Sequence, residues 1–125
     1  MVSTVSQDGQ ARVFPRLLAA GDSAILIELG SEIDSAVNAQ VFVLVGLIET
    51  DEVPAIIELI PTYRSLLVSY DPITSDYDEM IGKLDEIVAH LDGSDTVAPN
   101  MKIIELPVVY GGDDGPDLDS VAEHA

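Results

Sequence analysis

Neither cysteine nor tryptophan occurs in the 125 residues, and five lysines and arginines stand against 23 aspartates and glutamates. Without a thiol there is no disulfide framework, no thiolate nucleophile and no cysteine-based zinc ribbon, and a reducing cytoplasm is the default compartment. Arg12, Arg16, Arg64, Lys83 and Lys102 are the whole basic complement, which leaves a formal net charge of −18. A field of that sign repels phosphate backbones and anionic headgroups, so neither nucleic acid nor a membrane surface is expected as a partner. Long apolar runs are lacking too. The longest, Val41 to Ile48, falls far short of the about 20 residues needed to span a bilayer, and the polar stretch Met1 to Gln10 has no signal-peptide core. Two explanations of the acid excess stand: adaptation to high salt, or a solvated surface with an acidic tail.

What is present has a clear period. A chain of this length buries one core. Ala24, Ile25, Leu26, Ile27 and Leu29 form a short apolar run closed by Gly30, which predicts a buried strand. Asp34 is the expected cap of a first helix, because Val37, Val41, Leu44, Val45 and Ile48 recur at helical spacing. Ala55 to Ile60 predicts a second strand, and Pro61 to Arg64 is short enough to turn the chain into an antiparallel strand over Ser65 to Tyr70. Asp71-Pro72 ends that strand.

A second helix is predicted with Ser75 as its cap, with Tyr77, Met80, Ile81, Leu84, Ile87, Val88 and Leu91 on one face. Asp78, Glu79, Lys83, Asp85 and Glu86 fill the other. Gly93 to Asn100 reads as a linker, and Ile103 to Val109 as a last strand interrupted by Pro107, a residue confined to sheet edges or exits. The order strand, helix, strand, strand, helix, strand predicts an α+β, ferredoxin-like split βαβ sandwich. Pro116 then opens a short amphipathic pattern, Leu118, Val121, Ala122 and Ala125, which stops half-built. It is expected to be the beginning of a further unit in a fragment, a split product or a longer subunit, or else a frayed tail.

Two segments, ELIPTYRSLLVSYDP from Glu58 to Pro72 and LPVVYGGDDGPDL from Leu106 to Leu118, resemble signature stretches of the KipI-like family. Its members are also described as the B-type subunit of 5-oxoprolinase or as allophanate hydrolase subunit 1. Gly21, Asp22, Ala24, Ile33, Asp34 and Asn38 extend the resemblance toward Arg16. Where the family usually carries Cys and then Glu with an apolar residue around its Tyr-Gly-Gly, this chain has Val109, Asp113 and Asp114, so no role resting on that thiol is carried over. The resemblance implies a flexible N-terminus over 1–15, a ferredoxin-like domain over 16–105, and the start of a truncated cyclophilin-like domain over 106–125. It also implies a subunit that works with two other oxoprolinase subunits in the ATP-dependent cleavage of 5-oxoproline to L-glutamate, and whose equivalent in related urea-processing enzymes belongs to a carboxyltransferase-type region. The alternatives are a regulatory binder that inhibits a sensor histidine kinase through its helical dimerisation region, and an allophanate hydrolase or urea carboxylase subunit.

No residue is singled out as catalytic, and no metal or cofactor site is expected in the chain itself, with ATP assigned to the complex. Asp113, Asp114, Asp117 and Asp119 follow neither the EF-hand nor the GGxGxD spacing. Gly111-Gly112 has no Gly-Lys-Ser/Thr and no G-x-G-x-x-G around it. Ser65 has no histidine near it in sequence and fits a turn hydrogen bond. His90, near a helix end, reads as structural. Interface candidates remain: Glu58, either solvated or paired with Arg64; Tyr63 and Tyr110, aromatic rings with polar tips; Ser65, Gly111, Gly112 and Asp117; and the apolar pair Leu118 and Val121.

Overall fold

The computed structural model describes residues 4–5, 11–91 and 102–125. Thr4–Val5 (β1) and Ala11–Arg12 (β2) form a short antiparallel ribbon. Arg16–Ala19 (β3), Ala24–Glu28 (β4), Ile56–Pro61 (β5) and Ser65–Tyr70 (β6) form a four-stranded antiparallel sheet in the order β3-β4-β6-β5. Helices Ser35–Asp51 (α1) and Tyr77–Ala89 (α2) supply the apolar cover of one sheet face, and a short helix, Leu118–His124 (α3), lies near the end of the chain.

The core forms where the two periods meet. Alternation in β4 and β6 turns Ile25, Ile27, Leu66, Val68 and Tyr70 to one side, all buried. Val41, Leu44 and Ile48 of α1 and Met80, Leu84, Ile87 and Val88 of α2 close over them, each helix offering the stripe that a 3.6-residue repeat makes continuous. Tyr77, placed on the α2 stripe from its spacing, stays 38% exposed at the helix start. Asp34 caps α1 as expected, its Oδ1 accepting from the Ala36 N–H at 2.7 Å. Gly30, two residues past β4, lets the chain pass beside α1, since a Cβ there would lie 3.2 Å from both Val37 methyls.

Two expectations need correcting. The cap of α2 is Asp76, whose Oδ1 accepts from the Glu79 N–H at 2.9 Å. Ser75 sits one position earlier, buried, with its hydroxyl donating to Glu79 Oε2 at 3.0 Å. The second concerns the fourth strand. Ile103 to Val109 is not a strand: residues 102–110 are irregular and exposed. The place beside β4 that a split βαβ sandwich reserves for its last strand is taken by β3, through the register Arg16↔Glu28 to Ala19↔Ile25. The α+β class and the four-stranded antiparallel sheet stand, with the edge supplied from upstream. The predicted linker from Gly93 to Asn100 lies outside the described residues.

Candidate interaction surface

The hairpin tip between β5 and β6 is held by side chains. The Thr62 N–H donates to the Ser65 carbonyl at 2.8 Å, and Thr62 Oγ1 takes the Ser65 N–H at 3.1 Å, where a backbone carbonyl would close an ordinary turn. The Thr62 and Ser65 hydroxyls lie 2.7 Å apart. Ser65 is buried and its hydroxyl is committed to this turn, so its role is structural.

Arg64 and Tyr63 tie the tip to the start of α1. Arg64 Nη1 donates to the carbonyls of Ser31 at 2.7 Å and Gly30 at 3.4 Å, and the Arg64 carbonyl accepts from the Leu29 N–H at 3.0 Å. Asn38 Nδ2 donates to the Tyr63 carbonyl at 2.9 Å, while the Tyr63 side chain is half exposed. The pairing of Glu58 with Arg64 does not form: the guanidinium is spent on loop carbonyls, and Glu58, in the middle of β5, faces solvent. Among the described residues the ion pairs are Arg16–Glu28 and Lys83–Asp51. Arg16 also lies 5.9 Å from the centre of the Phe14 ring, within cation–π range.

Tyr110, Gly111, Gly112, Asp117, Leu118 and Val121 belong to a separate arm over 102–125. Gly111 and Gly112 adopt φ of 78° and 61°, a conformation that favours glycine. They turn the chain into a 3₁₀ turn over Gly112–Asp114, closed by the Gly115 N–H on the Gly112 carbonyl at 3.4 Å. A Cβ at Gly111 would lie 3.4 Å from Leu118, so the turn packs against the first residue of α3. Asp117 precedes α3 without a side-chain capping bond, and its carbonyl accepts from the Val121 N–H at 2.9 Å. Leu118 is 43% and Val121 60% exposed, and Ile103, Ile104, Leu106, Val108, Val109 and Tyr110 are all exposed. The arm therefore exposes a run of large apolar groups.

His90 Nδ1 donates to the Glu86 carbonyl at 2.7 Å and serves the end of α2. Asp71, after β6, accepts from the Thr74 hydroxyl at 2.7 Å and the Ile73 N–H at 3.0 Å. The Thr74 hydroxyl first, then the Ile73 N–H, hold its carboxyl below the ordinary aspartate range. Hydrophobic period gives no sign of β3, and it marks Asp71 only as a strand end, although the Asp-Pro-x-Thr order around it is a readable turn signal.

A family model described as carboxyltransferase domain, subdomain C and D, matches residues 15–125. The chain belongs to the KipI-like family. It is 36% identical over 111 residues to the B-type subunit of 5-oxoprolinase from Bacillus subtilis (strain 168), a match covering 82% of this chain and 46% of that protein. A conserved uncharacterized protein of Pyrococcus horikoshii is 40% identical with a TM-score of 0.60, over 87% of this chain and 49% of that one. The N-terminal domain of the histidine kinase inhibitor KipI from Bacillus subtilis is 29% identical with a TM-score of 0.52, over 66% of this chain and 92% of that domain. Urea carboxylase of Kluyveromyces lactis, 24% identical over 60% of this chain and 7% of its own length with a TM-score of 0.58, shares the fold. The chain thus spans about half the length of the first two relatives. Among the described residues, no helix is long and apolar enough to cross a membrane.

Proposed function

We propose that this KipI-like chain is a non-catalytic scaffold portion of the B-type subunit of a 5-oxoprolinase, acting in the cytoplasm with partner subunits that use ATP to convert 5-oxoproline to L-glutamate. The observation that carries this reading is the 36% identity with a 5-oxoprolinase subunit of that type. The exposed apolar arm supports it, because contiguous apolar surface of this kind marks an interaction site. In this reading Leu118, Val121 and Tyr110 make contacts between polypeptides, while the hairpin tip built from Tyr63, Arg64 and Ser65 keeps the sheet and α1 in register. The test is reconstitution. The chain alone is expected to leave 5-oxoproline intact, and co-expression with the other oxoprolinase subunits is expected to yield a complex that releases ADP and glutamate. Turnover by the isolated chain, abolished by a point change in it, would overturn the scaffold role.

The likeness to the KipI N-terminal domain, which this chain covers almost throughout, favours a second reading: a regulatory binder of a sensor histidine kinase. Inhibition of kinase autophosphorylation by the purified chain, with no association with oxoprolinase subunits, would select it.

A further inference from the structure

The sheet face turned away from the core carries an aliphatic row of its own. The register places Leu18 opposite Leu26, Leu26 opposite Leu67, and Leu67 opposite Ile60. A row of four aliphatic side chains thus crosses all four strands on the side away from Ile25, Ile27, Leu66 and Val68. The three leucines are half-buried, Ile60 is 40% exposed, and Ile57, at the irregularity in β5, is 68% exposed. On this protein of net charge −18, the same registers turn Arg16, Glu28, Glu58, Ser65 and Ser69 to this side, so polar and charged groups flank the aliphatic row. Glu28 is neutralised by Arg16, and Glu58 is exposed.

Size and charge decide what fits there. Four strands about 4.8 Å apart, of four to six residues rising about 3.4 Å each, make a face of about 19 by 17 Å, on the order of 300 Å². A standard interface takes about 800 Å² from each partner, so the face is too small to hold a second copy by itself, and two such copies bring like fields together. The arm of the same chain is a poor occupant, since Glu105, Asp113, Asp114, Asp117, Asp119 and Glu123 outnumber its one lysine, Lys102. A single helix is 10–12 Å across, and about 14 residues of it run about 21 Å, which matches the face. We propose that the open face of the sheet, centred on Leu18, Leu26, Leu67 and Ile60, docks one amphipathic helix of a partner protein, with basic residues along the helix edge meeting Glu58. This surface is separate from the arm and goes beyond the subunit reading.

The probe is a dye-labelled leucine–lysine peptide of roughly 14 residues, an amphipathic basic helix, titrated with the whole chain and followed by anisotropy. Measurements in about 0.15 M and about 1 M salt, where charges are screened beyond about 8 Å and about 3 Å, separate docking from attraction to the general acidic field. Saturable binding is expected at both. Ile60→Ser and Leu26→Ser are each expected to weaken it about ten-fold or more, and Glu58→Lys to weaken it mainly at the lower salt. Ile60 and Glu58 are exposed, so their variants keep the fold, as circular dichroism will confirm, and decide the matter if Leu26→Ser unfolds. Equal binding by Ile60→Ser and the parent chain would overturn the proposal. So would equal binding of a leucine–glutamate peptide of the same length, or a dimer that Ile60→Ser dissolves, which would make a second copy the occupant.

Discussion

Leu84→Ala set beside Glu86→Ala tests the packing on which the whole fold rests. Leu84 is fully buried at the centre of the α2 stripe, in one cluster with Ile25 and Leu66 of the sheet and Leu44 of α1. Truncation removes three carbon groups at about 0.8 kcal/mol each, which sets a floor near 2.4 kcal/mol. A fully enclosed site between two helices and a sheet relaxes only in part, so a cavity contribution adds to the floor and the expected loss is about 2.5–5 kcal/mol. Glu86 is exposed two residues on, and the hydrogen bond it makes with His90 uses its backbone carbonyl, which alanine keeps. Its replacement is expected to change stability by no more than about 0.5 kcal/mol. Urea titration of both variants at one salt concentration, with slopes compared to confirm the same two-state transition, reads the contrast. Two small effects would mean that α2 is not packed as described, and the reverse order would mean that its phase is wrong.

The Asp71 carboxyl is held below the ordinary aspartate range by the Thr74 hydroxyl and the Ile73 N–H. Its contribution to stability is therefore complete above the unfolded aspartate pKa and is lost as pH falls through the lower folded value; carbon NMR titration is expected to show the depressed midpoint, and Thr74→Val to raise it. Asp76→Ala removes the α2 cap and is expected to cost about 0.5–2 kcal/mol by denaturant titration; no loss would return the capping role to another residue. Replacing Leu118 and Val121 by Asp should weaken co-purification with oxoprolinase subunits while circular dichroism stays unchanged, and undiminished recovery would show that α3 is a free tail. If the acid excess is a salt adaptation, the melting temperature will rise from dilute buffer to molar salt as repulsion is screened, and a flat series refutes it.

Local pattern alone determined a good part of this protein. The stripes of α1 and α2, the cap at Asp34, the buried run of β4 and the hairpin from Ile56 to Tyr70 were all legible, because each depends on residues a few positions apart and on water leaving one face. The Glu58 to Pro72 and Leu106 to Leu118 segments likewise carried the family resemblance. What remained to tertiary structure was placement. Apolar residues announce that a segment is to be covered, and both Arg16–Ala19 and Ile103 to Val109 fit that description; which of them pairs with β4 is settled by long-range register. The same holds for Arg64, whose guanidinium lies within reach of Glu58 in sequence and is drawn instead to the carbonyls of Gly30 and Ser31. Ser75 and Asp76 are equally good caps by residue type, and the burial of Ser75 leaves the role to its neighbour. The leucine row on the open face could not be read from β3, β4, β5 or β6 singly, since it exists only once three registers bring one residue from each of the four strands into line.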